Sequence, residues 1–260
     1  CRARRLGSLA AQRLNAPMPL LQHLARACGF LVIRRRHAGA GYIEHPPRTA
    51  FDHTLLRCFP SPRALRFIQI GANDGQRADP LLRYIDGCAW SGLMFEPRAI
   101  NFAALSKRHG NNPRLRLRPC AVDSHAGRRM LYDLDCLAHP SLPDWAHGLG
   151  SFNRERILLA AHELGLDEKA IITEEITTMS WTEVWQDFGP HRCDLLVLDT
   201  EGHDLPLLHT ADLGRHRPRI IHFEHACATP AERLEFCGKL LALGYELSTE
   251  GPDTTAWLPA

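Results

Sequence analysis

The chain has 260 residues, 45% of them hydrophobic and 7% aromatic, and a net charge of +2 from 31 basic and 29 acidic side chains. This length accommodates one large α/β domain or two small ones, with enough apolar residues for a packed core. No apolar stretch approaches the ~20 residues of a membrane-spanning helix, so the expectation is a cytoplasmic protein with no transmembrane segment.

Charge is unevenly spread. Residues 1–43 hold eight arginines, from Arg2 to Arg36, and no acid, which leaves the remainder net negative. Such a segment could touch anionic lipid, a transit machinery or an acidic partner, but the preferred reading is a basic helix lying against the acidic body. The nine cysteines include no C-x-x-C pair, so buried, reduced thiols are expected instead of metal or disulfide chemistry. The first residue is Cys1 and not Met, as in a fragment of a longer protein.

Helical pieces broken by proline are predicted over residues 1–60, with Leu20, Leu21 and Leu24 at helical spacing. The domain proper is placed at 61–260. A short apolar strand, Leu65–Ile70, runs into Gly71, followed by a helix over Ala78–Ile85. Gly92–Glu96 reads as a second strand, Arg98–His109 as a second helix and Leu115–Val122 as a third strand. Strand and helix alternating at this spacing imply βαβ units and a parallel sheet. Arg128–Leu134 is a further strand, Asp135–Phe152 a long loop, Glu155–Gly165 a helix and Ile171–Met179 β-like. Trp181–Phe188 is a short helix and Cys193–Leu198 a buried strand. Arg219–Glu224 is another strand and Ala231–Leu243 a helix, with a β-hairpin from Gly244 onward.

Four places carry candidate chemistry. In Gln69-Ile70-Gly71-Ala72-Asn73-Asp74-Gly75 a strand enters a glycine turn, where backbone can approach a ligand closely. Phe95-Glu96-Pro97 ends the next strand about two dozen residues on, the distance at which such folds place an acid for ribose hydroxyls. Asp199-Thr200-Glu201-Gly202-His203-Asp204 follows the buried strand, at a carboxyl end that faces the crevice of an open sheet. Two carboxylates and an imidazole there are costly to bury without a task. In Ile220-Ile221-His222-Phe223-Glu224-His225 alternation puts His222 and Glu224 on one face, and Glu224 is expected to reach the same crevice. His225 reads as a loop histidine.

In combination, Ile70–Gly75, Phe95-Glu96-Pro97, Ala121-Val122, Gly150-Ser151-Phe152 and Leu198–Asp204 resemble the FkbM-type methyltransferases over about residues 64–258. The resemblance implies a class I, Rossmann-like α/β fold. Its sheet would be mostly parallel and seven-stranded, with a C-terminal antiparallel hairpin, preceded here by the helical N-terminal segment. It implies S-adenosyl-L-methionine as cofactor and transfer to a hydroxyl oxygen of a sugar, glycoconjugate or secondary metabolite. By position, Gln69, Gly71, Ala72, Asn73, Asp74 and Gly75 would form the cofactor turn, and Glu96 with Pro97 would hold the ribose. Ala121 and Val122, with Asp123 beside them, would flank adenine; Asp199 and Glu201 would sit where donor and acceptor meet. Gln69 departs from the Asp common in the family, and His203-Asp204 replaces a more usual aromatic or small residue followed by Glu.

An alcohol is a poor nucleophile until deprotonated. His203 has the right ordinary pKa for a base, with Asp199 or Glu224 to orient it or to bind the acceptor hydroxyls; no metal is called for, although Asp199, Glu201 and Glu224 are of the type that hold a divalent ion. Rival readings are a dinucleotide oxidoreductase, disfavoured because G-x-G-x-x-G is incomplete, and a non-catalytic cofactor-binding or docking module. A nucleic-acid enzyme is disfavoured by the acidic body with few lysines. Acceptor specificity is expected in Asp135–Asn153 and Ile171–Trp185, where Trp145, Trp181 and Trp185 could either stack on a sugar or pack on the core.

Overall fold

The computed structural model describes residues 47–259; the basic segment and the predicted helix around Leu20 lie outside them. The first element is a helix, α1 (Ala50–Cys58), started by a capping box in which Thr49 and Asp52 satisfy each other's backbone N–H groups. Next come β1 (Arg66–Ile70), α2 (Leu82–Gly87), β2 (Ser91–Phe95), α3 (Ala99–His109) and β3 (Leu115–Arg118). These are followed by β4 (Ala121–Asp123), β5 (Gly127–Leu134), α4 (Arg154–Glu163), β6 (Ile171–Ser180) and α5 (Trp181–Phe188). The chain ends with β7 (Leu195–Leu198), α6 (Asp204–His209), α7 (Leu213–His216), β8 (Ile220–Glu224), α8 (Pro230–Ala242), β9 (Glu246–Glu250) and β10 (Asp253–Trp257).

Seven strands form the main sheet in the order β3-β2-β1-β7-β8-β10-β9. The first five run parallel, and β10 pairs antiparallel with both β8 and β9. This is the mostly parallel, Rossmann-like α/β sheet with a terminal hairpin that the sequence led us to expect. The chain winds outward from β1 to β3 and then returns to β7 on the other side of β1. The strand order therefore reverses at β1/β7, where open sheets of this kind bind their ligands.

Alternation sends the central strands' side chains into two cores. Ile68, Ile70, Leu196, Leu198 and Phe223 meet Trp181, Val184 and Phe236 of α5 and α8 on one face. Phe67, Met94, Leu195 and Val197 meet Phe51, Leu55, Tyr84 and Trp90 on the other. Helix α1 thus belongs to the packed body, on the near side of the boundary expected at residue 61.

Two further features differ from expectation. The third strand is broken after Arg118: Pro119 has no N–H to give a ladder, and β4 leaves for a second, three-stranded sheet of order β4-β6-β5. Helices α6 and α7 were not foreseen; with six and four residues each, they are too short to show a helical period. Cys88, Cys120 and Cys193 are buried, whereas Cys227 is exposed. No helix of the described residues is long and apolar enough to cross a membrane.

Candidate active site

The carboxyl ends of β1, β2 and β7 open on a crevice of about 760 Å³. At its centre the β1 turn is pressed against its neighbours. The N–H groups of Gly71 and Ala72 both donate to the Phe95 carbonyl, at 3.0 and 2.9 Å, and the Asp199 N–H donates to Ile70 O at 3.0 Å. A Cβ on Gly71 would stand 1.8 Å from the Asp199 carbonyl oxygen, and the residue's φ is +82°. Only glycine fits this junction.

Glu96, 4% exposed, lines the crevice at the end of β2. Its two oxygens accept from the Asn73 and Arg98 N–H groups, each at 2.9 Å. Burial pushes its carboxyl up to about 7, against those hydrogen bonds and the nearby Arg98. Each oxygen keeps a second lone pair, the requirement for receiving ribose hydroxyls.

Of the residues singled out in the sequence, Gln69, Gly71, Ala72, Asn73, Glu96, Pro97, Ala121, Val122, Asp199, Glu201 and His203 all line this crevice. Asp74 and Gly75 do not. Asp74 accepts from the N–H groups of Gln76 and Arg77 and holds the turn itself. Gly75 is packed against Leu105 and His109 of α3, with no room for a Cβ.

Glu224 also stands elsewhere. Asp204 accepts from the Glu224 N–H at 3.3 Å, so α6 sits against the end of β8. Glu224 lines a separate cavity of about 130 Å³ with Asp204, Leu205 and Cys227. The expectation that it reaches the crevice is not met, and it is not a partner of His203. Asp204 itself is fully engaged, taking Thr200 N–H at 3.0 Å and Thr200 Oγ at 2.6 Å. Glu201 pairs with Arg156 of α4, so its carboxylate is already claimed. Asp199 lines the crevice with an exposed side chain, although the protein around it desolvates its carboxyl. Burial, reinforced by the Glu201, Asp204 and Glu224 carboxylates, raises its carboxyl well above the ordinary value.

His203 has a partner that the sequence did not reveal. Its Nε2 lies 3.0 Å from Asp123 Oδ1, and Arg129 Nη1 reaches Asp123 Oδ2 at 2.5 Å. Phe152 is clamped between the Arg129 and His203 side chains. The Arg129 guanidinium lies 4.0 Å over its ring, and the His203 imidazole meets it edge-on at 5.1 Å. Burial lowers the His203 pKa, against the pull of Asp123. For Asp123, burial is outweighed by hydrogen bonds from Ser124 N–H, Arg129 and His203, which hold it below the ordinary carboxylate value. An ionised carboxylate only accepts, so Nε2 carries the proton and Nδ1 keeps a lone pair. His203 and Phe152 form the wall between the crevice and a side cavity of about 450 Å³, which Arg129, Tyr132, Asn153 and Arg154 also line.

The loop over the crevice supplies Trp145, Gly148, Gly150 and Phe152, all within the predicted specificity segment Asp135–Asn153. Nothing from Ile171–Trp185 reaches it. Trp181 and Trp185 are core residues, stacked on each other at 5.6 Å, with their indole N–H groups on Leu207 O and Ala211 O. His225 is likewise structural, its Nδ1 2.9 Å from Thr254 Oγ. Arg98 was not singled out either. It pairs with Asp133 and donates to His147 O at 2.7 Å, tying the loop to the β2 end. Among the described residues no group of three or more His, Cys, Asp or Glu side chains is arranged to hold a metal ion.

A Gly71 cradle without space for a Cβ, a buried acid for a diol and unpartnered buried oxygens on Gln69, Asn73 and Asp79 fit S-adenosylmethionine, the methyl donor of such folds. Comparison with solved structures finds methyltransferases. The FkbM methyltransferase of Methylobacillus flagellatus KT is 15% identical, with a TM-score of 0.46 over 75% of this chain and 43% of that one. The METTL16 methyltransferase domain is 11% identical, with a TM-score of 0.43 over 92% of this chain and 96% of that one. The precorrin-6y C5,15-methyltransferase of Geobacter metallireducens GS-15 is 9% identical, with a TM-score of 0.40 over 80% and 87%. The chain thus spans less than half the length of the Methylobacillus protein. A search of curated proteins returned no match. The methyltransferase FkbM domain model matches residues 69–247, from Gln69 in β1 to Leu247 in β9, and the chain belongs to that family.

Proposed function

We propose that the protein is an S-adenosylmethionine-dependent O-methyltransferase acting on a hydroxyl of a sugar, glycoconjugate or secondary metabolite, with His203 as general base. The observation that carries this reading is the His203–Asp123 pair, on the wall that separates the Glu96–Gly71 cradle from a polar side cavity. Bound in the crevice, the cofactor supplies an electrophilic methyl group on a sulfonium. Glu96 would accept from its ribose hydroxyls, and Ala121 and Val122 would flank its adenine. Displacement at methyl needs donor and acceptor in line, so most of the rate comes from positioning. His203 contributes the remainder. Asp123 fixes its tautomer, burial keeps it neutral, and Nδ1 takes the acceptor's proton as the oxygen attacks.

Calorimetric titration of S-adenosylmethionine, S-adenosylhomocysteine and NAD tests the cofactor half. Binding of the first two, lost in Glu96→Ala, is expected; binding of NAD alone would overturn it. Methyl transfer to a panel of glycosides and hydroxylated metabolites tests the acceptor half. A turnover that survives His203→Ala unchanged from about pH 6 to about pH 9 would remove the base assignment.

A further inference from the structure

Three oxygens on the crevice residues lack a donor: Gln69 Oε1, Asn73 Oδ1 and Asp79 Oδ2 are buried and no hydrogen-bonding group of the described residues reaches them. The surroundings are polar by construction. Gln69, Val197, His222 and Thr255 stand in register across β1, β7, β8 and β10 and share one face of the sheet, so three polar side chains lie in a row where an apolar core would otherwise continue.

At the β1 end of this row, Gln69 Nε2 donates to Asp79 Oδ1 at 3.0 Å, and the Leu81 N–H donates to the same oxygen at 2.7 Å. One oxygen of the Asp79 carboxylate therefore has two donors and the other has none. Among the described residues Asp79 forms no ion pair. The preceding Ala78 holds a φ of 51°, a left-handed conformation that costs an alanine energy and persists only where its surroundings impose it. The turn thus places a carboxylate in the crevice wall with no cation in contact with it, Arg108 and His109 acting on it only at longer range. Burial raises its pKa accordingly.

Three unmatched acceptors, one of them anionic, call for a ligand group with several N–H donors and a positive charge. We propose that this is the seat of the α-ammonium group at the amino-acid end of the cofactor, with Asp79 as its counter-ion and Gln69 as the bridge that fixes the carboxylate. The assignment rests on the S-adenosylmethionine reading of the crevice. It also accounts for glutamine at position 69. A second acid beside Asp79 would place two carboxylates side by side, and one would take up a proton; the amide leaves a single charge for a single ammonium.

The test compares three compounds by calorimetry on wild type and Asp79→Asn: S-adenosylhomocysteine, its deaminated analogue with hydrogen in place of the amino group, and 5′-methylthioadenosine, which lacks the amino-acid end. Asp79→Asn should weaken S-adenosylhomocysteine by about tenfold to a hundredfold and leave 5′-methylthioadenosine within about twofold. The wild type should lose a similar factor on the deaminated analogue, with no further loss in the variant. Equal losses for both natural compounds would mean that Asp79 only shapes the turn and would overturn the proposal. So would a wild type that binds the deaminated analogue as tightly as the parent, an arm that needs no variant to fold. A wild type that binds 5′-methylthioadenosine but not S-adenosylhomocysteine would also contradict it. Binding of none of the three would overturn the cofactor reading itself.

Discussion

His203 Nε2 meets Asp123 Oδ1 at 3.0 Å, although the two residues are eighty positions apart in the chain. The contact joins the end of β4, in the small sheet, to the turn after β7, in the large one. An imidazole held this way presents one defined tautomer to the crevice.

If His203 is the base, His203→Ala should reduce kcat by about 10²- to 10⁴-fold while leaving the affinity for S-adenosylhomocysteine unchanged. Asp123→Asn should cause a smaller loss of kcat through the wrong tautomer. The pH–rate profile should have its acid limb below the ordinary histidine value, because burial lowers the His203 pKa and the base works only when neutral. Steady-state kinetics against pH checks both; a limb that His203→Ala fails to remove would assign it to another group.

Gly71→Ala should destabilise the fold by about 3–5 kcal/mol, since the new Cβ would collide with the Asp199 carbonyl and the backbone would be strained at positive φ. The same change separates β1 from β7 at the crevice floor. Urea denaturation gives the loss, and titration with S-adenosylhomocysteine should show weakened binding in whatever fraction stays folded.

Much of this architecture was legible in the chain. The glycine turn after β1, the acid after β2 and the buried run Leu195–Leu198 each pair a strong hydrophobic signal with a polar strand end, and these are local features. What escaped detection is long-range or short in period. Pro119 divides what looks like one strand into β3 and β4 of different sheets, and periodicity cannot say which sheet a strand joins. Asp123, which the resemblance sets beside the adenine, is instead carried by the small sheet to His203. Glu224 shares a face with His222, yet α6, unreadable at six residues, closes it into another cavity.

Arg98 should prove to be the anchor of the crevice loop. It is buried, pairs with Asp133 and holds the His147 carbonyl. Arg98→Met leaves Asp133 as an unpaired buried acid and should cost about 3–5 kcal/mol. Adding Asp133→Leu should restore much of that stability without restoring the loop. Cofactor affinity would then stay low in the double variant, because the loop contact to His147 is still missing. A double-mutant cycle in denaturant, with S-adenosylhomocysteine titrated into each protein, separates the two effects.

Glu224 gives a pH-dependent prediction with a definite sign. Burial first, then the Glu201 and Asp204 carboxylates, push its carboxyl up to about 7, and its Oε2 has no partner. A carboxyl raised in the folded state binds its proton more tightly there than in the unfolded chain. Its contribution to stability is therefore fully present below the unfolded value of about 4.3 and is lost as pH rises through about 7. Glu224→Gln keeps the shape and removes the charge. The variant should match the wild type near pH 4 and exceed it by about 1–2 kcal/mol near pH 8, after allowance for partial solvent screening. Urea midpoints at the two pH values decide the matter. A gap that is the same at both would mean that packing, and not the buried charge, separates the two proteins.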